Sequence, residues 1–272
     1  MPELPEVQTV VDHIKDDLIG DEIIAIKPIW PKVFHNFSSG DLFEKNSDTK
    51  ILDVKRRAKF IIIQFKESIL AVHLRMTGKL YFIRGKSPKH TSAEVFLKSK
   101  KTLIFQDVRK FGRFYLYKDL SKINERHGPE PLGKSFTKVI LFNILNNCKR
   151  NIKALLLDQS KIAGLGNIYA DESLWLSGIH PNSISNEIPK NIIFKLHHSI
   201  QHVLKTAIAY NGTTIIDFSY VNGQTGNYAN ELNIYGKHNL ICPKCESKIK
   251  KIKVASRGTY HCECQRLFDC KK

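Results

Sequence analysis

Long apolar runs are missing from this sequence. No stretch of about 18 consecutive apolar residues occurs in its 272 positions, so none predicts a membrane-spanning helix. A basic amphipathic stretch of the interfacial kind is absent too, which argues against a membrane surface as the partner. The opening MPELPEV has neither the basic n-region nor the apolar core of a secretory leader, so a cytoplasmic location, with action at the nucleoid, is expected. Acidic residues are scarce beside basic ones: 26 Asp and Glu against 43 Lys and Arg leave a net charge of +17. That excess needs a polyanionic partner or a solubility role to explain it, and nucleic acid is the leading partner. Methionine is nearly absent, Met76 being the one internal case. Cysteine is absent up to Cys148, and the other five (Cys242, Cys245, Cys262, Cys264, Cys270) crowd near the C-terminal end. A disulfide framework is not distributed that way; metal binding is the better reading. No internal repeat or low-complexity tract is present, and 42% hydrophobic with 25% charged residues is globular composition, long enough for two domains.

Hydrophobic spacing divides the chain. Val7, Val10, Val11, Ile14 and Leu18 recur at helical intervals and stop at Gly20, predicting a helix from near Pro5, with Pro2 and Glu3 just upstream of its N-terminus. From Glu22 to about Leu116 the pattern is of short strands: Ile51 to Val54, Phe60 to Phe65, Ile69 to Leu74, Val95 to Leu97, Leu103 to Phe105 and Phe114 to Tyr117. Gly and Pro in 119–133, ending HGPEPLG, suggest an interdomain connection. Helices are then expected over Phe136 to Asn147, Ile152 to Leu157, Ile168 to Leu176 and Lys190 to Tyr210, the last stopped by Asn211-Gly212. The expected domains are therefore 1–118, a linker 119–133, a helical domain 134–232 carrying a loop at 217–228, and a cysteine hairpin 233–272.

Two motifs carry chemistry on their own terms. Cys242-Pro-Lys-Cys245 is a half-site for zinc, and Cys262 follows after β-type residues. Four thiolates suit tetrahedral zinc, and a closed four-cysteine site is structural. The second half is Cys262-Glu263-Cys264, a C-x-C where C-x-x-C is the usual spacing. Cys264 is the first choice for the fourth ligand, with Cys270 and His261 as alternatives. At the other end, removal of Met1 would expose the secondary amine of Pro2, whose pKa of about 8 leaves part of it unprotonated and nucleophilic at neutral pH. Adding to an aldehydic carbon, a secondary amine gives an iminium that is cationic without a proton, a good electron sink. Glu3 and Glu6 are placed to act as acid or base. The plainer alternative is Pro and Glu as ordinary helix-start residues.

The full set of motifs favours the chemical reading. MPELPEV, Arg56-Arg57-Ala58-Lys59, His73-Leu74-Arg75-Met76-Thr77-Gly78, Asp107-Val108-Arg109-Lys110-Phe111-Gly112, Gly128-Pro129-Glu130-Pro131-Leu132, Gly164-Leu165-Gly166-Asn167-Ile168-Tyr169-Ala170 and the cysteine hairpin occur in that order. Together they resemble the bacterial formamidopyrimidine-DNA glycosylase family over essentially the whole chain. The resemblance implies an α+β multidomain fold: an N-terminal two-layer β-sandwich with flanking helices, a helix-two-turns-helix domain, and a zinc β-hairpin. It implies one structural Zn2+, a monomer, and double-stranded DNA with oxidised bases or abasic sites as partner. It assigns Pro2 as Schiff-base nucleophile at C1′, Glu3 as acid/base, Lys59 as second catalytic amine, and Arg257 as the phosphate grip and participant in δ-elimination. Met76, Arg109 and Phe111 would fill the void left by an extruded base. Asn167, at a helix start, would bind phosphate, and His90, Lys149 and Lys153 would contact DNA. The complete Met, Arg, Phe trio and the 217–228 loop favour oxidised purines, followed by β,δ-elimination. An endonuclease VIII-like enzyme for oxidised pyrimidines is the nearest alternative; a non-catalytic zinc-containing DNA-binding protein and an RNA-binding module are further ones.

Overall fold

The computed structural model describes residues 1–213 and 226–269. The chain forms two compact units, Met1–Glu125 with Tyr210–Asn227, and Arg126–Ala209 with Tyr228–Lys272. Most of the expected loop 217–228 falls outside the described residues, as does Cys270.

In the first unit, helix α1 (Leu4–Leu18) starts on a capping box: the Glu3 side chain accepts the Glu6 N–H, and the Glu6 carboxylate accepts the Glu3 N–H at 2.8 Å. These reciprocal bonds satisfy backbone donors that a helix start otherwise leaves orphaned. The helix ends where Ile19 turns extended and Gly20 takes φ +86. Two four-stranded antiparallel sheets follow. One has the order β1-β6-β7-β5, from Ile23–Pro28, Thr91–Leu97, Thr102–Asp107 and Gly78–Ile83. The other has the order β2-β3-β4-β8, from Asp53–Arg57, Phe60–Gln64, Ile69–His73 and Arg113–Tyr117. Side chains from both sheets share one core with the apolar face of α1, which makes a two-layer sandwich.

Strand β3 shows why the pattern reads as it does. Ile61 and Ile63 enter this core, while Ile62 points the other way into a second cluster with Ile69, Ala71, Tyr115 and Ile123. Ile123 belongs to helix α3 (Ser121–Asn124), so part of the segment expected to be plain linker instead caps the outer face of a sheet. Three strand expectations also differ. Ile51 is fully buried, but its backbone pairs with Gly20 and Asp21, so β2 starts later, on the charged run Asp53–Arg57 at a sheet edge. Strands β1, whose burial does not alternate and whose register shifts between Ile23 and Ala25, and β5, which begins at the last residue of the Met76 motif, were not among the expected runs. Of 210–227, Thr213 donates both N–H and hydroxyl to Glu6 and Asn227 donates to Tyr210. These contacts put Thr213 and Asn227 with the first unit, although both fall inside the span 134–232 expected of the helical domain.

The second unit contains α4 (Lys138–Asn146), α5 (Ile152–Leu157), α6 (Asn167–Ser177), α7 (Lys190–Ala209) and the hairpin β9 (Lys250–Val254) and β10 (Arg257–His261). Helix α6 is buried almost all round, with Asp171, Glu172 and Ser173 buried along with its apolar residues. The turns at 158–166 between α5 and α6 are held from inside by Gln159, whose side chain accepts the Gly164 N–H and donates to the Leu157 and Leu165 carbonyls. The GPEPL motif packs here: Gly128 donates to the Gln159 carbonyl, and a Cβ at Gly128 would lie 2.5 Å from the Lys161 backbone. Residues 255 and 256 both take positive φ, giving the two-residue hairpin turn that matches strand twist.

Candidate active site and metal centre

Strand register places the expected catalytic and void-filling residues of the first unit at one end of its sandwich. In the second sheet Arg57 pairs with Phe60, Phe60 with His73 and His73 with Arg113, so the β2–β3 turn, the end of β4 and the start of β8 line up. In the first sheet Gly78 pairs with Asp107 and Thr91 with Gln106, aligning the starts of β5 and β6 with the end of β7. The crossings β4 to β5 and β7 to β8 connect these same ends, so both sheets share them. Helix α1 begins there as well, since Gln8 accepts from Arg56 at 3.1 Å near the end of β2.

Each residue can then be located. Pro2 and Glu3 precede the first turn of α1, both buried, with Glu3 only 3% exposed. Glu6 accepts the Glu3 N–H and both the N–H and the hydroxyl of Thr213, so its carboxylate helps to hold the helix start. Lys59 is neither exposed nor in a strand: it sits in the β2–β3 turn, after Ala58 at φ 53, and is 5% exposed. Met76 is half-buried in the β4–β5 crossing. Arg109 and the 48%-exposed Phe111 ride the β7–β8 crossing, the guanidinium 4.9 Å from the ring centre. His90 is exposed at the start of β6, and its carbonyl accepts the Asp107 N–H.

Sequence reasoning passed over what holds these crossings. Asp107, 1% exposed, accepts from the Thr77 hydroxyl, from the Arg109 N–H at 3.2 Å and from the Gly112 N–H at 2.7 Å. Arg113 donates to the Lys110 and Gly112 carbonyls and stacks on Trp30 at 4.5 Å. Gly78 and Gly112 both lie against the Phe105 ring, where a Cβ would come within 2.7 Å and 2.2 Å of it. Both glycines are therefore close-approach positions. The signal was present, in the Asp that opens DVRKFG and the Thr before Gly78.

The second unit corrects one expectation. Lys153 has no exposed side-chain surface; its ammonium pairs with Asp171 at 2.6 Å and donates to the Thr259 hydroxyl at 2.7 Å. It joins α5, α6 and β10 and is not available for a DNA phosphate. Burial pushes the Asp171 carboxyl up to about 6, against the pull of the Lys153 ammonium and the Tyr260 N–H. Beside it the Glu172 carboxylate, also buried, accepts the backbone N–H groups of Asn233, Ile234 and Tyr235 and so fixes the chain leading to the cysteines. Asn167 is the first residue of α6, and its side-chain amide donates to the Gly258 carbonyl at 3.0 Å and the Tyr235 hydroxyl at 3.3 Å. The N-terminus of α6 and the hairpin turn with exposed Arg257 thus adjoin. Lys149 is exposed beyond the end of α4.

Cys242, Cys245, Cys262 and Cys264 bring their sulfurs within 4.8 Å of one another. Tetrahedral Zn–S bonds of about 2.3 Å need sulfurs roughly 3.8 Å apart, so this set fits a closed thiolate site. The C-x-C spacing does not prevent convergence. Hydrogen bonding from Ser247 lowers the Cys245 thiol to about 6, while burial pushes Cys262 up. Trp175 donates its indole N–H to the Cys242 sulfur at 3.4 Å, and Lys244 lies 3.9 Å over the Trp175 ring. His261 is not part of the cluster; its ring packs on His180 at 4.5 Å.

A sandwich with its loops gathered at one end, a helical unit of the two-turn type and a four-cysteine hairpin define a class of modular DNA-handling protein. Comparison with known proteins places the chain within it. The family model described as the Formamidopyrimidine-DNA glycosylase N-terminal domain matches residues 1–114, and that described as the H2TH domain of the same proteins matches 127–219. A curated relative, the formamidopyrimidine-DNA glycosylase of Pelotomaculum thermopropionicum, is 40% identical over 98% of this chain and 100% of its own. Among solved structures, the complex between the Lactococcus lactis FPG mutant G226P and a Fapy-dG containing DNA has a TM-score of 0.89 at 36% identity, covering 97% of this chain and 100% of that one. The complex of wild-type Lactococcus lactis Fpg (MutM) with an oxidised pyrimidine containing DNA has a TM-score of 0.87 at 36% identity, with the same coverage. The chain belongs to the formamidopyrimidine-DNA glycosylase family. Among the described residues no helix is long and apolar enough to cross a membrane.

Proposed function

We propose that this enzyme is a bifunctional base-excision-repair glycosylase and abasic-site lyase, which removes oxidised purines from duplex DNA through a Schiff base on Pro2. The observation that carries the reading is the alignment at one end of the first unit: an N-terminal proline, Glu3, the Lys59 turn and the crossings with Met76 and with Arg109 and Phe111. With Met1 removed, the Pro2 nitrogen attacks C1′ of the damaged nucleotide. The C1′–N bond to the base breaks, and Glu3 supplies the proton that opens the sugar ring. The resulting iminium acidifies C2′, so loss of a C2′ proton expels the 3′ phosphate; Lys59 assists, and δ-elimination then releases the 5′ phosphate. The capping box fixes the Glu3 side chain through the Glu6 N–H.

Extrusion of a base costs a few kcal/mol in stacking and pairing. Met76, Arg109 and Phe111 offset it by occupying the gap, Arg109 with donors for the orphaned partner base. Exposed His90, Lys149 and Arg257, with the N-terminus of α6 at Asn167, bind phosphates. The net charge of +17 supports that electrostatic footprint. Zinc on Cys242, Cys245, Cys262 and Cys264 holds the hairpin that presents Arg257, and supplies no chemistry at the sugar. The proposed division of labour is a catalytic domain 1–118, to which Thr213 and Asn227 also belong, a helix-two-turns-helix domain from 134 and a zinc hairpin 233–272, in a monomer acting in the cytoplasm.

Excision rates on matched duplexes test the substrate. Formamidopyrimidine and 8-oxoguanine should be released at least tenfold faster than an oxidised pyrimidine. The Lactococcus lactis complex with an oxidised pyrimidine keeps the endonuclease VIII-like alternative in play, and the reverse order of rates would establish it.

A further inference from the structure

The two crossings that carry the void-filling residues are joined by one buried carboxylate. Asp107 closes β7, and each of its oxygens is engaged. One accepts the Thr77 hydroxyl, from the crossing that holds Met76, and the Arg109 N–H; the other accepts the Gly112 N–H at 2.7 Å. The Thr77 oxygen is itself the acceptor of the Arg109 N–H at 3.1 Å. Thr77 is 7% exposed and Asp107 1%, so these bonds sit away from competing water. Arg75 and Lys110 both have positive φ (56 in each case), an uncommon left-handed conformation for these residues, one in each crossing. Arg113 braces the second crossing from outside through the Lys110 and Gly112 carbonyls. The Phe105 ring fills the space between Gly78 and Gly112, and the Asp107 carboxylate supplies the acceptor that the buried Gly112 N–H needs.

We propose that Thr77 and Asp107 form a latch that makes the two crossings one rigid reader. Met76 then enters the damaged strand only when Arg109 and Phe111 enter opposite it. Thr77 and Asp107 are positioning residues: they act through Met76, Arg109 and Phe111 and touch no substrate. This rests on the proposed reading of those three as void-filling residues. Without the latch, Met76 and Arg109 can be inserted separately, and the extruded state is held by half its contacts.

The test compares Thr77→Ala with Thr77→Ser, a pair that differs by the hydroxyl alone, on two substrates. A duplex with a single 8-oxoguanine requires extrusion; single-stranded DNA with a pre-formed abasic site does not. Thr77→Ala should lower kcat on the duplex lesion on the order of tenfold, as loss of a charge-assisted bond expects, with KM little changed. Its cleavage of the single-stranded abasic site should stay at the wild-type rate, and Thr77→Ser should recover the duplex rate. Equal losses on both substrates in Thr77→Ala would show a merely structural role and overturn the latch, as would a duplex rate equal to wild type. If Thr77→Ala does not fold, Thr77→Val against Thr77→Ser decides on the same readouts. A wild-type enzyme that cleaves the abasic strand but not the 8-oxoguanine duplex would refute the oxidised-purine substrate, whereas a wild-type duplex rate in the Met76→Ala, Arg109→Ala, Phe111→Ala triple variant would refute the void-filling reading and the latch with it.

Discussion

Replacing Lys153 by Met removes one half of a buried ion pair while keeping most of the side-chain volume. Asp171 would remain, with no exposed side-chain surface and its 2.6 Å partner gone. Stranding a buried charge in this way costs about 3–5 kcal/mol. The cost depends on pH, and its sign follows from the titration. In the wild type, burial raises Asp171 to about 6. A carboxylate whose folded value lies above its unfolded value contributes stability that is complete below the unfolded value, near 4, and lost as pH rises through the folded value. Taking away the Lys153 ammonium removes the largest influence holding Asp171 down, so the variant titrates higher still. Up to pH of about 6 both proteins hold the proton and lose stability in parallel; above it only the variant continues to fall, by about 1.4 kcal/mol per unit. Thermal unfolding followed by calorimetry should show Lys153→Met melting roughly 10 °C lower at pH 8, with less than half that gap at pH 5.5. Adding Asp171→Asn should recover much of the loss at pH 8. A gap independent of pH would refute the reasoning. DNA binding gives a second check. With the Lys153 ammonium buried against Asp171, the slope of log K against log salt should be the same in variant and wild type, whereas a lost phosphate contact would reduce it by about 0.9.

Other outcomes follow from the same geometry. Gly112→Ala places a Cβ 2.2 Å from the Phe105 ring and should destabilise the first unit by about 2 kcal/mol, partly restored by Phe105→Leu, as read by denaturant midpoints. Cys264→Ser should lower bound zinc, measured by metal analysis, and weaken DNA binding, while Cys270→Ser should leave both near wild type; the opposite pattern would move the fourth ligand. Arg257→Gln should reduce the salt slope of DNA binding by about 0.9 without changing bound zinc.

Much of this architecture was legible because local patterns and burial agree. The apolar stripe of α1, the buried run of β3 and the α7 face each gave their element near its true bounds. What escaped depended on partners distant in sequence. Ile51 looks like a strand residue, yet pairs with Gly20 and Asp21, and no local window shows that. Gly128 reads as linker punctuation until the Lys161 backbone is found against it. Lys153 shows the same limit at the candidate site. An isolated lysine in a chain of charge +17 looks like a phosphate contact, and only the fold reveals Asp171 beside it. Thr77 and Asp107 stand inside the motifs, but their pairing across 30 residues is visible only once β5 and β7 lie side by side. The four cysteines were the plainest case, because thiolate spacing is itself a chemical pattern.

The proposed chemistry depends on the Pro2 nitrogen. Borohydride trapping on a duplex with one 8-oxoguanine, followed by mass spectrometry of the digested adduct, tests it most directly. The expected result is a DNA adduct on the peptide that begins at Pro2, formed only by protein that has lost Met1 and sharply reduced in Glu3→Gln. No adduct from Met1-free protein, or an adduct on Lys59 with Pro2 unmodified, would contradict it.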